Sequence, residues 1–179
     1  MTDVIDLKKA QLEMRVRRGY RNWTSKFGED FTSSTRLPHI SNNTLAFLSC
    51  GREKGSFYLY DLIMNLQGLG SGFEFNELDT KDKMSVIDRY LFLLDRIRFE
   101  YIKRLGWLES YPGEEFTLVE LIIQFDQLAP GLQAKPPSLS KDHPDYSKFR
   151  SMNSFERKEL IRKLIPEALK EIQDHSTTL

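Results

Sequence analysis

The chain has 179 residues, 40% hydrophobic and 29% charged, a balance that excludes both a membrane-embedded protein and an unfolded polar tract. Lys plus Arg equals Asp plus Glu at 26 each, for a net charge of zero, so neither a strongly basic nucleic-acid coat nor an acidic tail is encoded overall. Any electrostatic role must be local.

The length fits one domain, or one domain with an appendage, and twelve Phe, seven Tyr and two Trp supply a sizeable core. The single cysteine, Cys50, cannot form an intrachain disulfide, and the first thirty residues carry no apolar h-region, so the cytoplasm is the expected compartment. The most apolar run, Phe57 to Leu66, is interrupted by Asp61 and Asn65 and falls far short of the ~20 residues of a membrane span. No span is expected.

In chain order, Ile5, Leu12, Val16, Tyr20, Trp23 and Phe27 recur at helical spacing, which predicts a long amphipathic helix over 4–27 ended by Gly28. Ser41 or Asn42 is placed to cap a short helix through Leu48. Phe57 to Leu66 is apolar on every side apart from Asp61 and Asn65, which predicts an element buried all round, a helix by its length and by the i, i+4 placing of those two residues.

Asp79 or Thr80 opens the clearest element, a central helix near 83–108. Its stripe runs through Met84, Ile87, Tyr90, Leu91, Leu94, Ile97, Tyr101, Ile102, Leu105 and Leu108. A second patch, Phe92 and Phe99, lies on its far side. Thr117 and Glu120 have the spacing of a capping box opening a helix to Leu128, which Pro130 and Gly131 are expected to end. Pro130, Pro136, Pro137 and Pro144 then mark a strap, and Ser154 to about Gln173 reads as a final helix that Pro166 kinks or restarts.

The expected fold is all-α: an irregular bundle of five to six helices around the one near 83–108, with long terminal helices. Residues 1–129 are expected to form a helical core domain that includes the long N-terminal helix, and 130–152 a Pro/Ser-rich strap or linker. Residues 153–179 form a C-terminal helix packing on the core or on a partner.

Short motifs carry little. The run Gly68-Leu-Gly70-Ser-Gly72 lacks the preceding strand, the third glycine spacing and the directly following helix of a dinucleotide fingerprint, and reads as a helix C-cap with a turn. His143-Pro144-Asp145 is similar to the tripeptide of J-domain co-chaperones, but the resemblance covers three residues and follows a proline-rich stretch where the basic helix of such a domain cannot form. His39, His143 and His175 fall in or beside loops or at the C-terminus, and Cys50 has no second cysteine at redox spacing, so no catalytic residue, metal or cofactor is assigned.

Two anomalies are more informative. Arg98 lies between Leu91 and Leu105 in an i, i+7 row of the central stripe, and Asp61 lies in the most apolar segment. Buried charges cost several kcal/mol unless paired, so these two are expected to meet as an ion pair that fixes helix register. A pocket at Asp61, Asn65 and Arg98 that holds a small ligand, or snorkelling of Arg98, are the other outcomes.

The second anomaly is charge segregation. Residues 8–27 carry net +6, including Arg15, Arg17, Arg18 and Arg21, while residues 109–134 carry net −5 through Glu109, Glu114, Glu115, Glu120 and Asp126. A helix of ~24 residues is ~36 Å long and can overrun one protomer's core. The expected function is therefore a non-enzymatic interaction or regulatory module, a homo-oligomer or the partner of another protein. Its interface is placed at Val16, Tyr20, Trp23, Phe27, Phe92 and Phe99. The alternatives are a nucleic-acid accessory protein using the four arginines, surface attachment to a membrane through the same helix, which Gly19 and modest hydropathy weaken, and a ligand binder or enzyme at the Asp61 pocket.

Overall fold

A computed structural model describes the backbone of residues 2–176 and the side chains of residues 7–171. The fold is all-α. Among the described residues eight α-helices are present: α1 (Thr2–Phe27), α2 (Asn42–Ser49), α3 (Glu53–Gln67), α4 (Thr80–Arg104), α5 (Leu118–Ile123), α6 (Phe125–Ala134), α7 (Tyr146–Ser151) and α8 (Ser154–Ser176). Two short strands, β1 (Leu108–Ser110) and β2 (Ser138–Leu139), pair antiparallel, with Leu108 opposite Leu139. No described helix is long and apolar enough to cross a membrane.

The helix starts follow local chemistry. Ser41 Oγ accepts from Thr44 N, Asp79 Oδ1 accepts from Asp82 N, and the Thr117–Glu120 box closes both of its bonds. Each satisfies backbone donors that a first turn otherwise leaves orphaned. Helix α3 ends where Gly68 takes a left-handed φ of 73°.

Helix α1 crosses α3 at Gly19. A Cβ there would lie 2.9 Å from Leu62 Cδ1 and 3.6 Å from the Leu62 carbonyl oxygen, so the Leu62 side chain packs directly on the glycine. Val16, Tyr20 and Trp23 follow that contact into the core and are buried. Trp23 Nε1 donates to the Tyr58 carbonyl at 2.8 Å, and the rings of Tyr20, Trp23, Phe27 and Phe31 pack edge-to-face or stacked with centroids 5.3–6.4 Å apart. The side chains of Ile5, Ile172 and His175 lie outside the described residues.

The Tyr20 hydroxyl is buried with no hydrogen-bond partner among the described residues, and burial pushes its pKa far above the ordinary tyrosine value. Tyr20→Phe removes an unsatisfied donor and is expected to raise the unfolding free energy by about 1 kcal/mol in urea titrations. The pH dependence has a defined sign. Above pH ~10 an unfolded Tyr20 loses its proton while the folded one keeps it, so this group's stabilisation falls as pH rises, and the variant loses that share of the alkaline decline.

Helix α4 packs against α2, α3, α5, α8 and β1, which makes it central. It begins three residues and ends four residues before the expected limits, and Leu108 belongs to β1 instead. Its burial departs from the predicted stripe. Val86 and Leu93 are interior, whereas Met84 and Leu91 are 60% and 53% exposed.

The segment expected to be a strap is built into the fold. Helix α6 runs through Pro130, whose lost hydrogen bond would go to exposed Asp126, so the orphaned carbonyl costs little. The break falls instead at Gln124, between α5 and α6. Lys135 is extended, as a residue before proline must be, and leads into β2, which Ser140 N→Trp107 O at 2.8 Å fastens to the turn after α4. Helix α8 likewise continues through Pro166. It packs on α2 and α4 of its own chain, burying Ile161, Leu164 and Ala168.

Candidate functional site

Asp61 and Asn65 are brought together, and Arg98 is not with them. Asp61 is 1% exposed. Its Oδ2 accepts from Asn22 Nδ2 at 2.9 Å, and its Oδ1 accepts from Gly72 N at 2.8 Å and Asn65 Nδ2 at 3.2 Å. Three neutral donors replace the expected guanidinium. The carboxylate thereby ties α1, α3 and the 68–72 turn together, and a Cβ on Gly72 would lie 3.0 Å from Asp61 Cβ and 3.1 Å from its Cα. The Gly-rich run thus serves a helix end and this junction.

Arg98 lies elsewhere, half-buried, with Nε donating to the Ser49 carbonyl at 2.9 Å. The row Leu91–Arg98–Leu105 forms the rim of α4, because Leu91 is exposed, and a rim arginine needs no carboxylate. The crevice beside Arg98, lined also by Tyr101, Ile102, Ile165, Ala168 and Leu169, is too tight to admit a water molecule. Next to it, burial pushes the Cys50 thiol up against the opposing pull of Arg52 and Arg98, which holds it protonated.

The buried charges of α4 are Arg96 and Glu100, which the stripe reading missed. Arg96 is 4% exposed and sits between the rings of Phe92 and Phe99, its guanidinium carbon 4.9 and 5.1 Å from their centroids. Its Nη1 donates to the Pro112 carbonyl at 2.6 Å, while Nε has no partner among the described residues. Burial pulls its pKa down to about 10, with Asp95 acting in the opposite direction. Glu100 accepts from Tyr111 Oη at 2.6 Å and from Arg104 Nε at 3.1 Å. Burial first, and that carboxylate second, push the Tyr111 hydroxyl far above its usual range. The sequence signal was present: Arg96 falls between Phe92 and Phe99 on the aromatic side of α4. Arg96→Met keeps the length and apolar stem and removes the unpartnered Nε, but leaves the Pro112 carbonyl without its donor, so it is expected to cost about 1–2 kcal/mol in urea titrations.

The six residues expected at an interface belong to this chain's own interior. Val16, Tyr20, Trp23, Phe92 and Phe99 are buried, and half-buried Phe27 packs on Trp23, Phe31, Phe47 and Tyr58. The reason is that α3 covers the α1 stripe, and the 111–113 turn with Phe125 covers the far patch.

What α1 leaves outside is mostly charge, with Leu7 and Met14 beside it. Lys8, Lys9, Arg15, Arg17, Arg18 and Arg21 are all exposed, and among the described residues none forms a salt bridge. The acidic stretch is treated differently. Glu114 pairs with Lys103 at 2.7 Å, Asp126 with Arg89 at 3.6 Å, and Glu120 closes the α5 capping box. Arg15 has a second role, its guanidinium lying against Gly68 at the C-terminal end of α3, where a cation complements the helix dipole. Residues 7–15 are exposed apart from half-buried Leu12, so α1 overruns the core at this end.

His143 closes a turn, its Nδ1 accepting from Asp145 N at 3.1 Å. Among the described residues no three His, Cys, Asp or Glu side chains converge in a way that would hold a metal ion. A scan against protein-family models and searches of curated proteins and solved structures found no match.

Proposed function

We propose that this chain is a non-enzymatic helical interaction module whose working surface is the outer face of α1 and whose partner is a polyanion. One observation carries the reading: Arg15, Arg17, Arg18 and Arg21 stand exposed without acidic partners among the described residues, while the apolar side of the same helix is covered by α3. On a chain of zero net charge, such a patch gives a local field that steers an anionic partner to one face. Arginine's planar fork suits sulfate or phosphate oxygens. A cytoplasmic location belongs to the same reading.

Retention on immobilised heparin tests it. The wild-type chain is expected to bind at low salt, and Arg17→Glu, Arg18→Glu and Arg21→Glu combined are expected to abolish retention with an unchanged urea midpoint. Arg15 is left in place because it supports the end of α3. Equal elution of the two proteins, or no retention of the wild type, contradicts the reading.

Self-association is the second reading, favoured by Leu7 and Met14, seven residues apart on the overhang and 60% and 52% exposed. Light scattering of a strict monomer at high concentration removes it.

A further inference from the structure

This inference deepens the polyanion reading and rests on it: we infer that the partner is single-stranded nucleic acid, its phosphates met by the arginines of α1 and one unpaired base stacked on Phe73. Phe73 is 80% exposed, in the short 3-10 turn Gly72–Glu77. Its ring rests on Phe57, with centroids 4.7 Å apart. The two planes are tilted by 48°, so Phe57 braces one side of Phe73 and leaves the rest of the ring open, a surface of the kind on which sequence-tolerant single-strand binders stack bases.

The platform stands beside the cations. Gly72, the residue before Phe73, donates to Asp61, and the other oxygen of that carboxylate holds Asn22 of α1. Asn22 follows Arg18 by four residues and Arg15 by seven, so the three share one flank of the helix. At the other end of the turn Gly68 lies against the Arg15 guanidinium. The 68–73 segment therefore runs along the flank that carries Arg15 and Arg18. Two acids stand near the platform: Glu74 is turned back over Gly70, and Glu77 is exposed. Their charge opposes phosphates along the 68–77 turn itself and favours a strand whose phosphates lie over α1.

A duplex keeps its base faces stacked on one another and has none free for Phe73, so the geometry favours the single strand. A bilayer surface needs an apolar helix face, and α1 has placed its own against α3, with Leu7 and Met14 remaining outside.

Fluorescence anisotropy decides it, with labelled oligo(dT) and oligo(U) of about 20 nucleotides, a duplex of equal length, and heparin and phosphatidylserine vesicles as reference polyanions. The expected result is binding of the single strands about 10-fold or more tighter than the duplex, weakening steeply between about 0.05 and 0.2 M salt. Phe73→Ala and Phe73→Leu are expected to lose about 5- to 100-fold on single strands with heparin binding unchanged. The Arg17, Arg18, Arg21 triple variant is expected to reduce the salt slope by about 2. Equal affinity for duplex and single strand, a silent Phe73→Ala, or binding to vesicles but not to oligonucleotides overturns the inference while the polyanion reading stands. Failure to bind heparin as well overturns both.

Discussion

Trp23→Ala is expected to lower the unfolding free energy by about 3–5 kcal/mol, the largest single-residue loss in this chain. The side chain is fully buried, so its removal forfeits both the transfer of an indole from water and the contacts that lined it. Three aromatic neighbours, Tyr20, Phe27 and Phe31, face the resulting cavity, and the Tyr58 carbonyl loses its donor. Rings cannot collapse into such a space without leaving their rotamers. Trp23→Phe keeps most of the volume and loses the bond to Tyr58 together with a small part of the packing. It is expected to cost about 1–2 kcal/mol. A urea midpoint for Trp23→Ala close to that of the wild type means that this helix does not pack on its own chain.

Asp61→Ala is the second large effect, expected at about 3 kcal/mol, and it carries a local signature. One buried carboxylate satisfies Asn22, Asn65 and the backbone of Gly72, and each buried donor left without an acceptor costs on the order of 1–3 kcal/mol. Asn65 retains its bond to the Asp61 carbonyl at 2.8 Å, so the loss concentrates at Gly72 and Asn22. Amide hydrogen exchange is expected to accelerate first over residues 68–77, ahead of α3 and α4. Uniform acceleration contradicts a junction role for this side chain. If the base platform at Phe73 works as inferred, Asp61→Ala also weakens oligonucleotide binding without touching any residue that contacts the strand.

Much of this fold is legible because its punctuation is local. Ser41, Asp79 and the Thr117–Glu120 pair announce helix starts by chemistry confined to one turn, and the α1 stripe through Val16, Tyr20 and Trp23 has a period that only a helix satisfies. The stripe does not say whose surface covers it. Three-dimensional proximity of α3 places those residues in the chain's own core rather than at a boundary between copies.

Periodicity fails for a different reason on α4. Its middle is enclosed on nearly every side, so no single stripe exists, and a best-fit stripe assigns exposed Met84 and Leu91 to the core. That error carried Arg98 inward and hid Arg96, whose aromatic neighbours Phe92 and Phe99 identify the truly enclosed row. The Asp61 junction was half visible. An acid in the most apolar segment is a reliable mark of burial, but its partners are two amides and a backbone N–H, groups whose positions depend on the packing of α1 and the course of the 68–72 turn. Pro130 shows the limit of breaker residues: it stops a helix where the freed carbonyl is buried, and here Asp126 faces water.

The outer face of α1 is where a polyanion is expected to sit, and amide chemical-shift mapping tests that placement most directly. A 15N-labelled chain titrated with a short heparin oligosaccharide is expected to show its largest shifts between residues 8 and 22, with residues 109–134 unmoved. Shifts centred on α4 and α8, or spread evenly over the molecule, contradict the account.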